Sequence, residues 1–284
     1  ELMYSSHRSG HVEHDSSTFF VSDGFLKFGR PGSTQNAESI LWRSDTQGFS
    51  RMELGNEGIL KVYDNQAKLV WQSLRIACLA WGSLIWDPRN LPMVGGWRKN
   101  GPKLRVEFLR KSADGRITLV LSKNARAVSS EWTLMDASSL ESAIHGLALR
   151  EGITNTSESN LKKVIGVWPP KNDVMHENKL ILDLEKWAKK HDISHIIWTN
   201  LGPKHPLTGN TAEGGSDEII KYLLGLKEKA ATSKNETYTA ILEKAEEYIR
   251  RTPPQINTYY RKVIEERLGW TQKSGLNEMP NEAD

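Results

Sequence analysis

Cysteine occurs once in the 284 residues, at Cys78, and a single thiol excludes an internal disulfide framework and any zinc site built on several cysteines. It fits a reducing compartment, so the cytoplasm is the expected location. Its apolar neighbours place the thiol in a buried strand. Long apolar runs are also missing. A membrane-spanning helix needs about 18 consecutive apolar residues, whereas the longest candidate, residues 76–86, is broken by Gly82 and Ser83. The chain therefore reads as soluble, with no membrane partner. An excess of one charge is absent too: 38 Lys and Arg against 35 Asp and Glu give +3 at pH 7. That is too small for the electrostatic footprint of a nucleic-acid binder. Residues 1–17 lack the charged-then-apolar pattern of a secretory signal and are expected to form a flexible N-terminus. His7, His11 and His14 have a spacing that a metal ion accepts, but a frayed terminus accounts for them, and no metal is expected.

What is present describes an ordinary globular protein: 38% apolar residues, ten Trp and 26% charged residues. The length exceeds the usual single domain of roughly 100–200 residues, so one large or two unequal domains are expected. Residues 18–73 alternate short apolar runs with Gly, Asn, Asp and Ser clusters, the mark of short strands joined by turns. An internal echo runs through them. Asp23-Gly24-Phe25-Leu26-Lys27-Phe28 followed by Ile40-Leu41-Trp42-Arg43-Ser44 recurs as Glu57-Gly58-Ile59-Leu60-Lys61-Val62-Tyr63 followed by Leu69-Val70-Trp71-Gln72-Ser73. Such self-similarity, on a period of about 30 residues, marks copies of one supersecondary unit, each too small to bury its own apolar face. Residues 18–75 thus form a small β module.

From residue 74 the elements lengthen and mix. Residues 76–80 read as a fully buried strand, and 104–109 with 117–121 as a hairpin turning at Ala113-Asp114-Gly115, together supplying a barrel or curved sheet. Ser138-Ser139-Leu140-Glu141 has capping-box spacing, and Leu140, Ile144 and Leu147 then keep to one helical face until Gly152, a residue suited to a left-handed cap. A strand near 164–167, a helix over 179–191, a buried strand over 193–198 and helices over 216–230, 236–250 and 258–268 complete an α+β domain. The polar tail, residues 271–284, is expected to be disordered.

Two features carry chemistry together. An apolar strand delivers Gly82-Ser83 into a loop, where a glycine allows close backbone approach and successive N–H groups can cradle an oxygen. Glu151 stands at the predicted end of the capped helix. A carboxylate there faces the negative end of the helix dipole, which disfavours ionisation and suits a general acid and base. Each feature alone is common in turns and at helix ends; the pair makes the case. Arg126 at a strand end is a candidate partner for a substrate carboxylate, though a surface arginine is the safer reading. His145, off the apolar stripe of its helix, reads as solvated or partly packed. Residues 200–205 follow a buried strand and can line the same pocket or form an ordinary loop. Ser83 has no His and Asp partners at motif spacing, so a hydrolase triad is not expected.

Leu79-Ala80-Trp81-Gly82-Ser83-Leu84-Ile85-Trp86 resembles the Tyr-Gly-Ser-Leu loop of the γ-glutamylcyclotransferases, and Leu149-Arg150-Glu151-Gly152 is similar to the Glu-Gly stretch that carries their catalytic glutamate. The two occur in the family's order. Residues 253–270, with Tyr259-Tyr260 before a short helix, resemble the Pro-x-x-Tyr-helix region of relatives, so the resemblance covers residues 76–270. It implies a γ-glutamylcyclotransferase-like mixed β-barrel with helices, Glu151 as the catalytic residue, and Trp81, Gly82, Ser83 and Leu84 as the substrate-binding residues. The implied reaction is intramolecular acyl transfer on a small-molecule γ-glutamyl amine or peptide, releasing 5-oxoproline and an amine, with no cofactor. Trp81 stands where the motif has tyrosine, exchanging a hydroxyl for an indole N–H that only donates. The family's downstream tyrosine is also missing, replaced by residues 154–159. These departures carry an alternative: a non-catalytic binding protein using a cyclotransferase-like pocket with a lectin module.

The Gly-x-Leu-Lys and apolar-apolar-Trp-x-Ser pattern of the N-terminal echo resembles bulb-type mannose-binding lectins, which implies a partial β-prism. The sugar-reading positions are degenerate: Gly55, Glu57 and Ile59 replace the polar residues and only Tyr63 is retained. A glycan is thus a weaker expectation than a packing role or a homo-oligomer formed through this module.

Overall fold

The structure, a computed structural model, describes residues 18–22, 25–29, 40–43, 49–54, 60–64, 66–72, 74–137, 139–170, 180–233 and 236–272. Readings placed on His7, His11, His14, Gly55, Glu57, Ile59 and residues 273–284 lie outside them. The chain divides into two compact units, Glu1–Leu74 and Arg75–Asp284.

The first unit contains β1 (Thr18–Ser22), β2 (Phe25–Gly29), β3 (Ile40–Arg43), β4 (Phe49–Leu54), β5 (Leu60–Asp64) and β6 (Leu69–Gln72). They form two antiparallel three-stranded sheets, β1-β2-β3 and β4-β5-β6. The echo in the sequence reappears as register. Phe28 opposes Trp42 and Lys27 opposes Arg43 in the first sheet; the equivalent Val62 opposes Trp71 and Lys61 opposes Gln72 in the second. The ladder then slips at the same step in both copies, after Phe28 and after Val62. Repeated residues have produced a repeated pairing, as expected where an apolar pattern sets strand register.

The second unit is mixed α+β. Its strands are β7 (Ile76–Ala80), β8 (Met93–Arg98), β9 (Lys103–Lys111), β10 (Ile117–Leu121), β11 (Ala127–Ser129), β12 (Glu131–Met135), β13 (Ile165–Trp168) and β14 (His195–Thr199). Its helices are α1 (Leu140–Arg150), α2 (Glu158–Val164), α3 (Leu184–Lys190), α4 (Ser216–Thr232), α5 (Glu236–Arg251) and α6 (Tyr259–Leu268). A five-stranded sheet runs β13-β14-β7-β12-β8, with β7 parallel to β14 and antiparallel to β12. A three-stranded antiparallel sheet runs β10-β9-β11. Neither closes among the described residues, which corrects the expected barrel to two open sheets. At one margin the β8–β12 ladder is interrupted between Trp132 and Leu134, and Gly95 turns to φ 73°. Four residues of β8 there face two of β12, a bulge that bends the edge strand, and the margins β8 and β13 of one sheet share no ladder with the margins β10 and β11 of the other, so no barrel closes.

β7 lies at the centre because both of its faces are apolar. Side chains alternate across a strand, and here Ala77, Leu79 and Trp81 enter one core cluster while Ile76, Cys78 and Ala80 enter another. The first cluster is built with β9, β10 and helices α4 to α6, the second with α1 and β13. Burying Leu79, 1% exposed, contributes about 2 kcal/mol. Burial pushes the Cys78 thiol up, so it stays protonated and unreactive.

The C-terminal helix is anchored by two buried carboxyls. Glu107 on β9 accepts from the Phe108 N–H at 2.9 Å and the Tyr260 N–H at 3.2 Å, while Thr258, the N-cap of α6, favours its ionised form. Glu131 on β12 accepts from the Gln255 amide. Burial pushes both carboxyls above the usual glutamate range, and these hydrogen bonds pull only part of the way back. A raised folded value stabilises fully below the unfolded value, about 4.3, and that gain is lost as pH rises through the folded value. Glu107→Gln has no such titration. Urea unfolding at successive pH values from about 4 to 7 should therefore show the stability of Glu107→Gln improving relative to wild type as pH rises. A flat difference would contradict the assignment.

Candidate active site

β7 ends at Ala80 and delivers Trp81-Gly82-Ser83-Leu84 into a double turn, closed by Ile85 N–H to Gly82 O at 3.0 Å and Asp87 N–H to Ser83 O at 2.8 Å. The turn forms one wall of a cleft of about 410 Å³. Trp81, Gly82, Ser83, Leu84 and Glu151 all line it. Tyr248, Arg89, Arg110, Arg116 and Asp114 line it too, none of which the motifs indicate.

Glu151 reaches the cleft from the C-cap of α1. Ser139 caps the helix N-terminus: its hydroxyl accepts from Ser142 N–H at 3.0 Å, and Ser142 Oγ accepts from Ser139 N–H at 3.1 Å. The capping box thus forms one residue later than the Ser138–Glu141 spacing predicts; serine at the third helical position closes it as well as glutamate would. Leu140, Ala143, Leu147 and Ala148 are buried, and α1 packs on β13 and β14. Gly152 adopts φ 71° as the helix unwinds, and the chain turns away after Glu151.

Arg150 joins the two motifs. Its side chain is 4% exposed, and its Nη1 donates to Glu151 Oε1 at 2.6 Å. Nε and Nη2 donate to Asp87 O at 3.1 and 2.6 Å, and Nη2 reaches Ser83 Oγ at 3.4 Å. One guanidinium fork therefore fixes the glutamate against the turn, a use of its planar donors that lysine cannot copy.

Trp81 spends its indole N–H on Leu119 O at 3.4 Å, inside the core. On the same stretch of β10 the Leu119 N–H donates to Tyr248 Oη at 3.4 Å. Tyr248 comes from α5 and is held edge-on between Trp86, with ring centroids 5.2 Å apart, and Phe108, at 6.3 Å. A Cβ added at Gly82 would run into Tyr248 Oη. The close approach that requires glycine here is thus to a protein side chain. Gly82→Ala should cost about 1–3 kcal/mol through overpacking, because the caged ring has no room to retreat. Urea denaturation measures it, and an unchanged midpoint would contradict the contact.

No family model, curated protein or solved structure matches this chain.

The cleft has a cationic rim. Arg116 Nε lies 2.8 Å from Asp114 Oδ2, and Arg89 Nε donates to Asp87 at 3.1 Å, whereas Arg110 Nη1 donates to a backbone carbonyl, Gly202 O, at 2.8 Å. Burial pushes the Asp114 carboxyl up, but hydrogen bonds from Ser112 and Arg116 outweigh it and hold the group below the usual range.

Other sequence candidates fall outside. Arg126 is exposed, and His145, also exposed, has Nδ1 2.8 Å from Glu141 O within its own helix. From the loop over 200–205 only Leu201 lines the cleft; His205 is buried elsewhere, 3.1 Å from Glu218. Tyr260 donates to Gly214 O at 3.0 Å and Tyr259 is 57% exposed, and neither lines the cleft. No histidine lines it among the described residues, so Ser83 has no base of that type there.

Proposed function

We propose that the second unit is a γ-glutamylcyclotransferase-like enzyme that releases 5-oxoproline and an amine from a γ-glutamyl amine or peptide. The observation that carries this reading is the placement of Glu151 and the Gly82-Ser83 turn on one cleft, joined by Arg150. Glu151 takes a proton from the α-ammonium of the γ-glutamyl group. The freed amine attacks the γ-carbonyl carbon, a new C–N bond closes the five-membered ring, and the carbonyl π pair moves onto oxygen. When that pair returns, the old C–N bond breaks and Glu151 returns its proton to the leaving nitrogen; the ring nitrogen gives up its second proton to Glu151, which passes it to the amine as that departs as an ammonium ion. No water enters the products. The gain comes from holding amine and carbonyl in attack geometry and from donors around the developing oxyanion. The Gly82 and Leu84 N–H groups, which make no hydrogen bond among the described residues, supply two of those donors.

Incubation of the whole protein with γ-glutamyl amino acids, a γ-glutamyl tripeptide and a γ-glutamyl alkylamine tests this. The expected result is 5-oxoproline equimolar with released amine from at least one of them; none from any would contradict the reading.

The first unit, in the same reading, is a lectin-like partial β-prism with a packing or oligomer-forming role. A glycan-array signal above background would replace that role with sugar binding.

A further inference from the structure

The Tyr248 hydroxyl is a buried donor whose proton has no acceptor among the described residues. The residue is 5% exposed and lines the cleft. Its oxygen accepts from Leu119 N–H at 3.4 Å, and the Ser83 backbone helps to hold down the phenol's proton affinity. Among the described residues nothing accepts its O–H. A phenol in this state must place its proton where a ligand oxygen can take it, because buried donors are rarely left unmade. Four further contacts fix that direction. Trp86 and Phe108 meet the ring edge-on, Gly82 leaves no space on the turn side, and the Arg116 guanidinium sits 5.6 Å from the ring centroid. Glu151 is close enough to influence the phenol electrostatically.

We propose that Tyr248, supplied by α5, donates its O–H hydrogen bond to the carbonyl oxygen of the ligand in the cleft; this rests on the cyclotransferase reading above. The phenol oxygen stands against the turn at Gly82, where it adds a side-chain donor to those the turn's backbone offers. During ring closure the carbonyl carbon gains the C–N bond, its π pair collects on oxygen, and the Tyr248 O–H shortens onto that oxygen without giving up its proton. On collapse the pair returns, the leaving C–N bond breaks, and Tyr248 ends unchanged. Burial pushes the phenol up to about 12, ahead of the opposing Leu119 hydrogen bond and Arg116 charge, so it stays a donor throughout the neutral range.

The test uses the whole protein in three forms: wild type, Tyr248→Phe, and protein carrying fluorinated tyrosines of stepwise lower phenol pKa at position 248. Tyr248→Phe should lose at least tenfold in kcat with KM within about threefold, because the bond strengthens as the oxyanion develops. The fluorinated series should move the alkaline limb of the kcat profile downward in step with phenol acidity. A structural hydroxyl would move no such limb, so an unmoved limb overturns the assignment whatever kcat does, as does a Tyr248→Phe kcat within twofold of wild type. In either case wild-type release of 5-oxoproline leaves the cyclotransferase reading intact. Absence of 5-oxoproline from wild type overturns that reading, and this assignment with it.

Discussion

Glu151→Gln should lower 5-oxoproline release by about 10²- to 10⁴-fold, the usual worth of a positioned acid and base. The amide is the right size for the site, and its oxygen can still accept from Arg150 Nη1, which holds the present carboxylate at 2.6 Å. It cannot take a proton from an ammonium. The loss should therefore fall on kcat, with KM little changed, since substrate still meets the turn and the arginine rim. Quantifying 5-oxoproline by chromatography, beside a thermal melt, separates the outcomes. A variant with wild-type kcat would remove Glu151 from the chemistry.

Arg150→Met should destabilise the second unit by about 3 kcal/mol and abolish turnover as well. Breaking a buried ion pair from one side costs about 3–5 kcal/mol, and the low end applies because 18% of the Glu151 side chain reaches solvent. Methionine fills much of the volume but leaves Asp87 O without two donors and Ser83 Oγ without its contact. Arg150→Lys keeps a charge and loses the fork; it should recover part of the stability and little of the rate. Urea midpoints and 5-oxoproline release, measured together, test this. A methionine variant with native stability and rate would show that the bridge holds nothing in place.

How legible these features are in the sequence depends on how local their causes are. β7 is legible because burial on both faces produces an unbroken apolar run. α1 is legible because a serine cap, a period of 3.6 and a stopping glycine lie within a few residues of one another. The echo in the first unit is legible for the same reason, and its identical registers show that residue pattern and pairing agree. β8, β11 and β12 are not, because each is short and paired to strands distant in sequence, and Gly95 and Gly96 read as turn rather than strand. The open sheets are equally hidden: closure is a property of ladder ends, and the ends are set by pairings between strands distant in sequence.

Within the site, Gly82 and Glu151 stand out by motif, whereas Arg150 and Tyr248 do not. Arg150 is a charged residue in the last turn of a helix, a position that ordinarily signals a solvated complement to the dipole. Its burial is visible only once Asp87 and Ser83 are placed beside it. Tyr248 follows Ala245 and precedes Ile249 at the spacing of an ordinary core stripe, and it belongs to that core as well as to the cleft. Its meeting with Gly82 joins residues more than 160 positions apart, and no local pattern records it.

Acyl transfer within the substrate is tested most directly by the isotope content of the product. The whole protein is incubated with a γ-glutamyl peptide in ¹⁸O-water and the products are weighed by mass spectrometry. Attack by the substrate's own amine predicts unlabelled 5-oxoproline, one per amine released, and no glutamate. Glutamate carrying ¹⁸O would mean that water is the nucleophile, and would contradict the proposed role of the cleft.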